Sequence, residues 1–155
     1  MTKAEEALSL LRSKNRCLDR LMTVTQEVLL ISDDKILEPA VNAPRVTPLE
    51  LYDRERASVT KAVELFDGKI TEIISAFTPQ EKHGRTLEEV KSEMHKGELL
   101  LNAIFNADDI VFEKIARVQK RISTQLSENR RSREMLAKFK SQRSTDAGEE
   151  VDTTL

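Results

Sequence analysis

Tryptophan is absent from this 155-residue chain, tyrosine and cysteine occur once each, and aromatics make up 4% of residues against 34% charged. So little aromatic volume beside so much charge excludes a thick globular core. It leaves an elongated all-α bundle as the arrangement able to bury the apolar surface that exists. The lone cysteine, Cys17, excludes an intrachain disulfide or a thiolate metal cluster, and its apolar helical position reads as a buried structural thiol. His83 and His95 form no metal-ligand spacing such as H-E-x-x-H, and there is no glycine-rich phosphate loop or nucleophile elbow. Neither an enzyme nor a cofactor is expected. No stretch approaches the roughly 20 apolar residues of a membrane span, and the first residues, MTKAEEALSLLRSK, lack the apolar run of a signal sequence. The expectation is a soluble, cytoplasmic protein without membrane insertion.

What is present is periodicity. Positions spaced alternately four and three apart run through Val90, Met94, Gly97, Leu101, Ile104, Asp108, Val111, Ile115, Val118, Ile122, Gln125, Asn129, Ser132, Leu136 and Phe139. A repeat of 3.5 marks a long helix packing along a coiled-coil-like seam. No proline interrupts it, so a helix over about 86–142 is expected, roughly 80 Å long at 1.5 Å per residue. The stripe is apolar as far as Ile122. Gln125, Asn129 and Ser132 then follow in succession, so its last third suits a dry core poorly. Asp108 lies on the stripe, where an unpaired charge is costly. It marks a local opening, a register lock against a basic residue, or a helix break with Asn106 as cap. Asn15 holds a comparable place in the first helix.

Prolines and caps divide the remainder. Helical patterning begins near Ala4 and must end by Leu37, because the residue before Pro39 is pushed out of the α region. Pro39, Pro44 and Pro48 mark a loop. Thr47, Pro48 and Glu50 read as N-cap, first position and N3 of a second helix over 48–77. Thr78 with Glu81 repeats the arrangement for one extra turn, and Thr86 with Glu89 opens the long helix. The first helix has apolar residues on a face wide enough for two neighbours, and the second carries a seam from Leu49 through Tyr52, Val59, Val63, Phe66, Ile70 and Ile73 to Phe77, broken by Arg56. An antiparallel bundle of three to four helices over 1–143 follows. Neither shorter helix can cover the third, part of which is expected to project or fold back. The last residues, 144–155, lack periodicity and read as a disordered acidic tail.

Charge is uneven. Residues 114–143 sum to +8, residues 1–113 to −6 and residues 144–155 to −4. A basic helix suits an acidic surface. Nucleic acid is not the expected partner, since Phe139 is the sole aromatic of that stretch and no recognition motif occurs.

The segment Leu99-Leu100-Leu101-Asn102-Ala103-Ile104-Phe105-Asn106-Ala107-Asp108-Asp109-Ile110, continuing through Ile115, Val118 and Ile122 to Leu136-Ala137-Lys138-Phe139-Lys140, resembles the long C-terminal helix of FliT-like flagellar export chaperones. Leu51-Tyr52-Asp53-Arg54-Glu55-Arg56, followed by Val59 and Val63, is similar to the middle helix of that group, and Leu18, Leu21, Met22, Gln26 and Glu27 fit its first helix. The related FlgN-type chaperones share a comparable three-helix pattern. The resemblance implies a chaperone that holds a flagellar filament-cap or hook-associated subunit and delivers it to the export apparatus. The expected client groove uses Val111, Ile115, Val118 and Ile122 as apolar anchors and Arg117, Arg121, Arg130 and Arg131 as a polar rim. The same four aliphatics also fit the role of bundle core. The alternative reading is a structural helical adaptor with an obligate protein partner, and a homodimer remains open.

Overall fold

A computed structural model describes residues 1–39 and 46–154, the side chains of 144–154 excepted. The loop expected from Pro39 to Pro48 lies partly outside the described residues, as does Leu155. The architecture is all-α: α1 spans Lys3–Leu30, α2 Pro48–Ser75 and α3 Arg85–Thr154, with one short 3₁₀ turn at Asp33–Lys35. Among the described residues there is no strand, and no helix is long and apolar enough to cross a membrane.

Each start has a local cause. Thr2 caps α1 by accepting from the Glu5 N–H at 3.1 Å while the Glu5 carboxylate accepts from the Thr2 N–H at 2.8 Å. Thr47 and Glu50 repeat that reciprocal box ahead of Pro48. The third expected box is not built. Gly84, at φ 114°, turns the chain into α3, and the Glu88 N–H bonds the Gly84 carbonyl. Thr78 and Glu81 close a turn without a helix.

Both ends of the expected pattern shift. α1 stops at Leu30 rather than near Leu37, because Ile31 and Ser32 are extended and the chain folds back to bury Ile36. Proline set only the latest limit. At the other end, α3 continues as backbone helix to Thr154 through the stretch read as a disordered tail. Neither proline nor a positive-φ residue breaks its ladder of bonds there.

By internal contacts the chain divides into Met1–Lys114 and Ile115–Leu155. In the first unit the helices run up, down and up. Lys14–Asp67 at 2.6 Å and Arg20–Glu55 at 2.7 Å fix α1 antiparallel to α2. Leu8, Leu11, Ile70 and Val90 form one core cluster, and Leu18, Leu21, Val59 and Ile104 the next. Residue numbers on α1 and α3 rise together along this core, so those two helices are parallel. α1 thus meets two neighbours, as its wide apolar face requires.

Polar residues set the register between layers. The Asn15 amide, 3% exposed, donates to the Glu93 carbonyl at 2.9 Å and to the Glu93 carboxylate at 2.8 Å. Its Oδ1 sits in the notch left by Gly97, where a Cβ would stand 2.8 Å away. Glycine is required there for approach, not for a turn. Lys114 is buried at the far end of the unit: Nζ donates to the carbonyls of Leu29 and Ile31, with Asp33 Oδ1 at 3.8 Å. A cation at a helix C-terminus satisfies carbonyls that have no partner within the helix. Lys114 counts by sequence with the basic stretch 114–143, whereas the structure buries it.

Candidate functional site

Asp108 resolves into the register lock. Its Oδ1 accepts a short hydrogen bond from the Tyr52 hydroxyl, and its Oδ2 pairs with Arg56 Nε at 3.2 Å. Burial of the ring, reinforced by the bonded carboxylate, pushes the Tyr52 hydroxyl well above the ordinary tyrosine range. Arg56, which appears to break the α2 seam on paper, instead supplies the cation that Asp108 needs. Its guanidinium also lies 5.9 Å from the centroid of the Phe112 ring. A buried carboxylate with both oxygens engaged is a satisfied one, and this cluster ties α2 to α3.

Beside the lock lies an open groove of about 300 Å³ between α2 and α3. Val59 and Val63 line one wall and Leu101 and Phe105 the other, with buried Leu18, Leu21 and Ile104 beneath and Arg56, Thr60 and Glu64 as polar lining. Met94, Leu101, Phe105 and Phe112 follow one another by seven, four and seven residues and therefore share one side of α3. Phe105 is 56% exposed and Phe112 50%, unusual for aromatics in a chain with so few. The surface is apolar, elongated along two helices and adjacent to a fixed cation. It suits the apolar face of a helix.

The residues picked from sequence divide differently. Val111 is fully buried and Val118 is 8% exposed, so neither offers surface to a client in this conformation; covered aliphatics belong to the packing. Ile115 is half-buried, and Ile122 is 39% exposed. Arg117, Arg121, Arg130 and Arg131 are all exposed, and Arg130 pairs with Glu134 at 3.5 Å. Within Ile115–Leu155, every described side chain from 121 to 143 is exposed, including Leu126, Met135, Leu136 and Phe139. The α2/α3 groove is not evident from the main stripe because Phe105 sits one residue off it, as does Phe112 beyond the groove. Their own spacing with Leu101 was the available signal.

Cys17 packs beside the second core cluster, and His83 and His95 are exposed. Among the described residues no three His, Cys, Asp or Glu side chains converge as metal ligands. Comparison with protein-family models, curated proteins and solved structures finds no match for this chain.

Proposed function

We propose that this protein is a client-holding chaperone of the flagellar export type, acting in the cytoplasm on a filament-cap or hook-associated subunit before it reaches the export apparatus. One observation carries the reading: an apolar groove, open to solvent, sits over a well-packed core and is lined by the half-exposed Phe105. A rigid scaffold with an uncovered apolar groove is suited to receive a segment that would otherwise self-associate. Burial contributes about 25 cal/mol per Å² of apolar area, and ordering of the client offsets part of that, which keeps release feasible. The resemblance of 99–140 to FliT-like chaperones supports the client class, and the open apolar lining of the groove supports it as the binding surface.

The test is size-exclusion chromatography with light scattering, on the full chain alone and mixed with the filament-cap subunit. A one-to-one complex is expected. Phe105→Glu should weaken it at least about tenfold, the scale of losing a partly buried aromatic contact, while leaving the melting temperature within about 2 °C because the residue is surface-exposed. Failure of both the cap and the hook-associated subunits to bind would overturn the reading.

A further inference from the structure

The helix from 121 to 143 has every described side chain exposed, yet it keeps a heptad register. Ile115, Ile122, Asn129 and Leu136 occupy one set of seam positions, a, and Val118, Gln125, Ser132 and Phe139 the other, d. The flanking positions are Arg121, Glu128 and Met135 at g, and Leu126, Arg133 and Lys140 at e. We infer that 122–139 forms a parallel two-stranded coiled coil with the same segment of a second copy of this chain.

The argument is self-complementarity. In a parallel pair each g residue faces the next e residue of the partner helix. Here Arg121 meets Leu126, Glu128 meets Arg133 and Met135 meets Lys140, so no flanking pair is like-charged and the one doubly charged pair is attractive. The three polar seam residues also find matching groups in an identical strand: Gln125 against Gln125, Asn129 against Asn129, Ser132 against Ser132. An asparagine at an a position favours register and two strands at a cost in affinity. A foreign helix would have to reproduce three polar layers in succession. The antiparallel alternative that pairs Ile122 with Phe139 sets Gln125 against Leu136 in the seam and forgoes the attraction between Glu128 and Arg133, which opposes it.

A membrane is a poorer occupant, because polar layers interrupt the apolar face. Residues 115–143 carry a net charge of +7, most of it on the outer positions Arg117, Lys120, Arg130, Arg131 and Lys138. Repulsion between copies therefore acts over distances that salt screens. The dimer is consequently expected to tighten as salt rises, whereas an acidic partner would be lost. This inference does not rest on the chaperone reading, since it concerns residues outside the α2/α3 groove.

Sedimentation equilibrium of the full chain at 50 and 500 mM salt reads the association. A monomer–dimer equilibrium that is tighter at the higher salt is expected. Glu128→Arg and Arg133→Glu should each weaken it about tenfold, from loss of two attractive pairs and gain of two repulsive ones, and the double variant should restore it. In a Cys17→Ser background, Ser132→Cys should form an interchain disulfide on mild oxidation, whereas Ser127→Cys, on the outer face, should not. All of these sites except Cys17 are exposed, and circular dichroism checks that each variant folds. A monomer at every concentration, cross-linking at Ser127→Cys but not Ser132→Cys, or failure of the double variant to restore association would each overturn the proposal. So would tighter capture of an acidic helical peptide, duplex DNA or anionic vesicles than of a second copy.

Discussion

Two stretches of one helix carry the same 3.5-residue repeat and meet different fates. From Val90 to Val111 the stripe is mostly covered: Val90, Ile104, Asp108 and Val111 are buried, and even Asp108 has partners for both oxygens. From Ile122 to Phe139 the same repeat is exposed throughout. Periodicity therefore reports that a helix is shaped for a partner. It does not report whether the partner lies in the same chain. Residue choice separates the two stretches. The first places its polar groups where a specific answer exists in the same fold: Arg56 and Tyr52 for Asp108, Asn15 for Glu93. The second places Gln125, Asn129 and Ser132 where only water, or a matching strand, can answer them.

The sharpest break of this comparison comes from paired truncations. Leu18, 1% exposed in the central core cluster, should lose about 3 kcal/mol on Leu18→Ala, the sum of lost transfer energy and a cavity. Leu126→Ala, at a site 63% exposed, should lose no more than about 0.5 kcal/mol when unfolding is followed at concentrations low enough to keep copies apart. Urea melts of both variants check this. Equal losses would mean that the 121–143 stretch is packed in solution.

A second substitution sharpens the contrast by reversing an ordinary preference. Gly→Ala within a helix is normally favourable by about 1 kcal/mol. At Gly97 the added carbon would stand 2.8 Å from Asn15 Oδ1, so Gly97→Ala should instead destabilise by about 1–3 kcal/mol through overpacking. Adding Asn15→Ala should recover most of the strain, a non-additivity expected only for groups in contact. A gain from Gly97→Ala alone would show that α1 and α3 are farther apart there.

These residues also show what was legible in the sequence. The all-α architecture, the long C-terminal helix, its continuity through Asn106 and Asp109 and the Thr47 cap all follow from local chemistry. The identity of Asp108's partners does not, because Arg56 and Tyr52 lie more than fifty positions away, Arg56 looks like a flaw in its own helix and Tyr52 like an ordinary seam residue. Lys114 misleads for a similar reason: a lysine among basic neighbours reads as solvated until the end of α1 is found beneath it. The groove is hidden because Phe105, the exposed aromatic of its α3 wall, lies off the seam that periodicity highlights. Local rules recover elements, and non-local pairing recovers the site.

The smallest effect tests the lock itself. Tyr52 is the only tyrosine in a chain without tryptophan, so absorbance near 295 nm follows one hydroxyl. Its proton is held in the folded state by burial and by the bond to Asp108, so folded tyrosine ionises at higher pH than unfolded tyrosine. The sign follows from linkage. Stability from this group is fully present below the unfolded value of about 10 and declines as pH rises above it toward the folded one. Lysines titrate in the same range, so the informative quantity is the difference between the parent and Tyr52→Phe. That difference should be about 1 kcal/mol at pH 7, from the lost hydrogen bond, and should shrink and then change sign above pH 10 as only the parent bears the cost of keeping its proton. A tyrosine that ionises near pH 10 in the folded protein, with a stability difference independent of pH, would place the hydroxyl in water and leave Asp108 held by Arg56 alone.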